Sequence, residues 1–407
     1  MNSELRARLE GNIWKYGVHK IFIKRLFLPL VAVLLVEEGQ VTLEELALIA
    51  SITAAVQLVL EIPSGYLADR FGHKQSLMLG TFLSAVSTLA YVVSPNFWGG
   101  LTASVGYFAG TAFLSGTQQA FMHETLLALG RDDEYEKILG KAQGRSLYWN
   151  AVLILLVPLT YSIHPYVPFL IGFAGLAVSF VIMSTLAVPP IRQTVREDSR
   201  DIGEKLRCFF SDPSWIRLSF PFLFFAVTTA GFNHATMYRE IVFREFGLPA
   251  DQFGFYLAIG SALAAFVSGH IHILKKLRPG IFYAFDLAYL VGALILVGLT
   301  RSPVLAVFAF MLFPAYGRSR QVIYDARILY EFRDSTRKST ILSVMRFMEA
   351  INDIWIPITF AFAVSVWGLV FGHMLFGIII GAIGSVILIG LLLFSRFGKR
   401  FAIVTNE

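Results

Sequence analysis

The sequence predicts an all-α integral membrane protein of twelve transmembrane helices, built as two six-helix halves of similar design. Three observations carry this. Of 407 residues, 56% are hydrophobic and only 15% charged, too apolar for a soluble chain of this size. Apolar runs near twenty residues recur along the whole length, which suits helices crossing a bilayer rather than barrel strands. The longest polar stretch, IRQTVREDSRDIGEKLRCFFSDPSW after Pro189 and Pro190, divides those runs six and six.

Taken in order, the spans fall at 12–36, 43–64, 75–95, 97–122, 146–163, 165–188, 215–238, 253–274, 280–300, 303–326, 341–364 and 370–395. The first is the weakest, because Lys15, Lys20, Lys24 and Arg25 leave an unbroken apolar run only from Leu26 to Val36. Charge distribution argues that it crosses. With the N-terminus inside, Arg239, Arg244 and Arg301 fall outside and Lys24, Arg25, Arg318, Arg320 and Arg346 fall within spans. All the others of the 34 Lys and Arg lie on the cytoplasmic side. This gives an N-terminal bundle over 1–188, a cytoplasmic linker over 189–214 and a C-terminal bundle over 215–407. In the linker Ile202, Leu206, Phe209 and Phe210 recur at helical spacing, so it reads either as an amphipathic helix on the inner face or as a solvated tether. The halves look repeated: Ser64–Gly65 ends the second span and Ser268–Gly269 the eighth, offset by about half the chain.

Composition also excludes. The net charge of +6 follows from topology and gives no reason to expect nucleic acid. Cys208 is the single cysteine, so neither an internal disulfide nor a cysteine metal cluster is expected. No nucleotide-binding loop or catalytic constellation is visible, so no cofactor and no enzymatic activity are expected. The N-terminus lacks the pattern of a cleaved signal peptide.

The stretch from Glu61 to Leu77, EIPSGYLADRFGHKQSL, places a tight hydrophilic turn between the second and third spans. Gly65 is expected to let two helix backbones approach, Asp69 to suit a helix N-terminus, and Gly72 to permit the turn before His73 and Lys74. A basic cytoplasmic loop alone would explain Arg70 and Lys74, but not the Gly and Asp spacing.

Here the chain resembles the major facilitator superfamily in its bacterial members. The family's loop signature, G-x-L-x-D-R-x-G-R-K-x-x-L, is met by Gly65, Leu67, Asp69, Arg70, Gly72, Lys74 and Leu77. A fourth-helix pattern is matched by Ser115, Gly116, Thr117, Ala120 and Leu126, and Asp334 to Ser343 is similar to the segment before the eleventh helix. Three departures stand out. His73 replaces the family's Arg, Gln119 replaces the fourth-helix Glu, and His123 and Glu124 replace a Tyr and an Asp. Proton chemistry assigned to that Glu therefore does not carry over, and the fifth span lacks the small-residue pattern of drug and proton antiporters.

The resemblance implies alternating access, with helices one, four, seven and ten around a central cavity. Lys24, the stripe Tyr107, Thr111, Ser115 and Gln118 or Gln119, and the stripe Tyr316, Arg320, Tyr324 and Arg327 are then expected to face solute. It also implies that Asp69 meets the N-terminus of the eleventh helix, near Lys338 to Ile341, when the inner side is closed. Gly65, Asp69, Arg70, Gly72, His73, Lys74 and Glu124 form the expected gating loop, with Glu124 a partner for His73, whose imidazole titrates near neutrality where an Arg would not.

In the eleventh span Arg346, Glu349 and Asp353 share one stripe at about 100° per residue. Ionisable groups at this depth are functional candidates by default. Arg346 is expected to keep Glu349 ionised and Asp353 to carry a coupling proton, unless Asp353 pairs structurally with Arg318 or Arg320. Weaker features are His270 and His272, read as solvated helix-end residues, Asp286, expected to pair locally, and Asn233 and His234 near the outer end of a cavity.

The expected function is a secondary active transporter, proton-coupled, moving a small organic solute. An anionic or zwitterionic guest is favoured, because deep cations outnumber deep carboxylates. An exporter of lipophilic compounds is the alternative within the class, and a non-transporting receptor or scaffold the alternative outside it. Expected partners are the solute, protons and the lipid bilayer, with the chain a monomer in a bacterial inner membrane, both termini cytoplasmic.

Overall fold

The computed structural model describes residues 3–24, 26–190, 214–270, 274, 277–331 and 338–397, and among them every regular element is helical. Seven helical stretches are long and apolar enough to cross a membrane: Leu43–Glu61, His73–Val93, Val167–Ser184, Ala250–His270, Pro279–Gly298, Phe347–Trp367 and Leu369–Leu393. Leu28–Glu37 and Pro303–Gly317 are shorter apolar helices. The helix order suits the twelve-span plan.

The chain forms two compact units. One comprises Met1–Arg196 with Pro249–Ala258, the other Glu197–Leu248 with Ile259–Glu407.

The first unit contains α1 (Ser3–Phe22), α2 (Val31–Glu37), α3 (Leu43–Phe71), α4 (His73–Thr88), α5 (Ala90–Val93), α6 (Phe97–Leu114), α7 (Thr117–Leu129), α8 (Tyr135–Leu156) and α9 (Val167–Ser184). Thr42 and Glu45 close a capping box at the start of α3, satisfying N–H groups that have no intrahelical partner. Gly72, at φ +100°, ends α3 and begins α4 in one residue, a backbone state that L side chains rarely adopt. Helices α4 and α6 pack through glycine: a Cβ on Gly110 would lie 2.5 Å from the Gly80 carbonyl oxygen. Buried hydroxyls tie α3 and α4 to the end of α6. Ser64 donates to the Ala112 carbonyl and Ser76 to that of Phe113. Leu77, Leu114, Phe121, Met183 and Leu186 form the core beside them.

The second unit contains α10 (Ser214–His234), α11 (Arg239–Glu245), α12 (Phe253–His270, whose first residues belong to the first unit), α13 (Pro279–Gly298), α14 (Pro303–Glu331), α15 (Lys338–Trp367) and α16 (Leu369–Phe397). Its core is aromatic. Phe225, Phe282 and Tyr283 all pack on the Tyr324 ring, while Phe360 stacks on Phe376.

Several expected spans are not single helices. The first breaks after Phe22 and resumes as a 3-10 turn at Leu28–Leu30 that runs into α2, with Pro29 unable to donate a helical N–H. The fourth breaks at Ser115–Gly116, where Gly116 has φ +71°. The fifth starts early, at Tyr135, and its α-helix gives way at Pro158 to the 3-10 turn Pro158–Ser162. The seventh ends at His234 and is followed by the separate short helix α11.

Candidate functional site

In the first unit the loop residues gather around a cavity of about 310 Å³ lined by Arg70, Gly72, His73, Lys74, Phe121 and Glu124, among others. Gly72 leads directly into α4, whose first residue His73 brings Nε2 within 3.2 Å of Oε1 of Glu124, in the middle of α7. The His73 side chain is 10% exposed, and its Nδ1 is buried without a hydrogen-bond partner. Arg70 is exposed and lies against the Phe71 ring. The side chain of Asp69 lies outside the described residues. Gly65 corrects an expectation: it is exposed, and a Cβ there would meet nothing within 4 Å, so no described backbone approaches it.

The break in the first span places Lys24, half-buried, in non-helical backbone between α1 and α2. Tyr107 reaches this break and donates to the Ile23 carbonyl at 3.1 Å. The expected fourth-helix stripe is not continuous. Thr111 donates back to Phe108 within α6, whereas Gln118, buried, and Gln119, exposed, lie beyond the Gly116 turn on α7. Polar contacts unforeseen in the sequence pin α1 down. Asn12 donates to the Ala187 carbonyl and accepts from the Ala187 N–H, while His19 Nδ1 lies 2.6 Å from Ser179 Oγ.

In the second unit the tenth-span stripe turns inward. Tyr316 donates to Asp286 Oδ1 at 2.8 Å and Tyr324 to Oδ2 at 2.9 Å. Arg320 reaches both oxygens, at 2.7 Å from Nε and 2.6 Å from Nη2. It also donates from Nη2 to Thr228 and from Nη1 to Thr229, and its guanidinium faces the rings of Phe225, Phe232 and Tyr324. Arg320 is 1% exposed and Asp286 0%. The expectation of a solute-facing stripe is therefore corrected, since a desolvated guanidinium requires a carboxylate and Asp286 supplies it. Asp286 does not pair locally either: its partner lies 34 residues along the chain. The available signal was that Asp286 is the only charged residue in α13.

Asp353 does not meet Arg320, whose guanidinium is held by Asp286. Oδ1 of Asp353 lies 3.0 Å from Nε2 of His234, at the end of α10. One turn away on α15, Glu349 Oε1 accepts from Asn233 Nδ2 at 3.5 Å, a long contact. The exposures of the His234 and Asp353 side chains, 16% and 27%, leave this pair open where the Asp286 centre is sealed. The side chains of Arg346, Arg318 and Arg327 lie outside the described residues, as do His272 and Cys208. Among the described residues no group of three or more His, Cys, Asp or Glu is placed to hold a metal ion.

Comparison with known proteins agrees with the helical plan. Over 227 residues the chain is 21% identical to the uncharacterised MFS-type transporter YxaM of Bacillus subtilis (strain 168), covering 54% of this chain. The match spans about half, 55%, of that relative's length. Among solved structures, the nucleoside transporter NupG superposes with a TM-score of 0.68 at 13% identity, over 97% of this chain and 100% of that one. A bacterial homologue of the human lysosomal transporter Spinster, inward-facing and unoccupied, gives 0.67 at 15%, over 98% of both chains. A D-xylose–proton symporter gives 0.59 at 14%, over 94% of this chain and 96% of that one. At these identities the likeness speaks for fold alone. The sequence profile of the Major Facilitator Superfamily, however, matches residues 21–351, well over half of the chain. Twelve-span patterning, the loop signature, the helical fold and that match together make this multi-pass membrane protein a member of the Major Facilitator Superfamily.

Proposed function

We propose that this transporter is a proton-coupled secondary carrier of a small organic solute, with the coupling proton bound at Asp353. The observation that carries the reading is the position of Asp353, near the middle of α15 within a stretch apolar enough to cross a membrane, against an imidazole rather than a permanent cation. A carboxylate locked to Arg has little freedom to change its charge. One partnered by His, with Glu349 a turn away, has that freedom.

The two halves, 1–188 and 215–407, would alternate access around the 189–214 linker, in a bacterial inner membrane with both termini cytoplasmic. Asp286 cancels the charge of Arg320, so among the described side chains within the expected spans Lys24 is the cation that would favour an anionic or zwitterionic guest. Asp69, Arg70, Gly72, His73, Lys74 and Glu124 would serve the inner gate.

Reconstituted protein tests this. Counterflow with a panel of labelled solutes identifies the guest, and a pH gradient should then drive its accumulation. Asp353→Asn should abolish gradient-driven accumulation while leaving exchange at equal concentrations intact; accumulation as large as that of the unmodified protein would refute the assignment.

A second reading, export of lipophilic compounds, has one observation in its favour. A cavity of about 490 Å³ within the second unit is lined by Leu223, Val227, Met348, Ile351, Trp355 and Val386, among others, and Asn352 in its wall has its amide engaged by Met348 and Trp355. Competition of counterflow by apolar dyes, but by no polar solute, would favour it.

A further inference from the structure

We infer that His234 is itself a coupling residue, and that His234 and Asp353 bind the transported proton as one unit. This rests on the proton-coupled reading above and assigns a role to a residue that the stripe on α15 does not contain. The two side chains come from different helices, α10 and α15, and meet at 3.0 Å with both partly accessible.

The chemistry follows from that contact. In the unloaded pair a neutral imidazole donates its Nε2–H to the carboxylate, and the pair carries one negative charge. Uptake of one proton gives either imidazolium beside carboxylate or neutral imidazole beside carboxylic acid. Either way the loaded pair is neutral and no other bond changes. At 3.0 Å the proton can sit on either partner, so it is assigned to the pair rather than to one residue. Between helices that cross a bilayer, a site that alternates between a net charge and none changes the cost of being enclosed, which is what coupling requires.

Among the described side chains around it, this pair is the open contact between a histidine and a carboxylate. From α14 and α13, Arg320 and Asp286 are sealed against each other. On α16, His373 is buried, with Phe310 and Phe360 set edge-on to its ring. Glu349 on α15 is the remaining described carboxylate near the pair, and Asn233, the neighbour of His234, donates to it. Arg346, on the same helix, has its side chain outside the described residues.

The test uses the full-length protein in proteoliposomes with a solute that it exchanges. His234→Gln keeps an amide donor in the place of Nε2 but cannot take a proton. Accumulation driven by the pH gradient should fall to the equilibrium level, and solute-driven proton movement, read by an entrapped pH dye, should disappear, with exchange preserved. A hydrogen bond that only braces the helices would survive in the Gln variant, so retained accumulation overturns the inference. If His234→Gln does not yield exchanging protein, His234→Asn is the second variant, with the same outcomes. The two proposals fail differently. Accumulation lost in Asp353→Asn but kept in the His234 variants removes His234 and leaves Asp353 as the coupling site. Accumulation kept in all of them removes both.

Discussion

Two polar clusters of the second unit, both built around an aspartate inside the helical bundle, have opposite designs. Asp286 is wholly buried and receives hydrogen bonds from Arg320, Tyr316 and Tyr324, and Arg320 also donates to Thr228 and Thr229. Asp353 is about a quarter exposed and meets one titratable ring. A permanent cation bonded to both carboxylate oxygens has little to gain from a change of protonation, and apolar rings surround it. The open pair can change state, at the expense of contributing little to stability. What separates the two is the partner and its access to water: a sealed guanidinium at Asp286, a partly exposed imidazole at Asp353.

The largest effect expected from this contrast is on folding. Asp286→Asn leaves a desolvated guanidinium without its counter-charge and should destabilise the protein by about 3–5 kcal/mol. Thermal unfolding in detergent measures it. The double variant Asp286→Leu with Arg320→Met removes both charges and should recover much of the loss. By contrast, Asp353→Asn should change stability by no more than about 1 kcal/mol, as expected of a partly exposed pair. Equal losses in Asp286→Asn and Asp353→Asn would erase the distinction between the clusters.

A smaller effect is expected where a saturated contact is neutral. Asn12 exchanges two hydrogen bonds with the backbone of Ala187 and is fully buried. Asn12→Ala strands the Ala187 N–H and carbonyl, for a cost of about 1–3 kcal/mol. It should also loosen α1 from the end of α9, which protease accessibility of the N-terminal segment would detect.

What was legible in the sequence was local. Apolar run length gave the helices, and the Gly, Asp and Arg spacing from Gly65 to Leu77 gave the family, because both depend on neighbours along the chain. Breaks were harder to see: Gly116 and Pro29 interrupt runs that hydropathy reads as continuous. Side-chain pairing between helices was not legible. Asp286 finds Arg320 across 34 residues and His234 finds Asp353 across 119, and helical periodicity fixes which face a residue occupies without fixing what stands opposite. Periodicity thus points the tenth-span stripe at solute, whereas the polar ends of Tyr316, Arg320 and Tyr324 are held by Asp286. His73 and Glu124 form the exception, because the loop signature fixes one side of that contact and the end of the fourth span the other.

That loop pair is the open design repeated in the first unit, and it carries the smallest of these effects. His73 Nε2 lies 3.2 Å from Glu124, its Nδ1 has no partner, and the ring lines a cavity that also receives Arg70 and Lys74. An imidazole gains its charge as pH falls through the neutral range, whereas a guanidinium keeps it throughout. Acidification of the inner side should therefore strengthen the contact with Glu124 and hold the loop, and alkalinisation should weaken it. In His73→Arg the ion pair would persist at all working pH values. Transport should then vary less with internal pH, by a few-fold at most, since a partly exposed pair contributes about 1 kcal/mol or less. The measurement is initial uptake at fixed external pH with internal pH stepped from about 6 to 8, the range over which an imidazole changes charge. Matching profiles for the variant and the unmodified protein would reduce His73 to a packed loop residue. Such a result would leave the open design to the second unit alone.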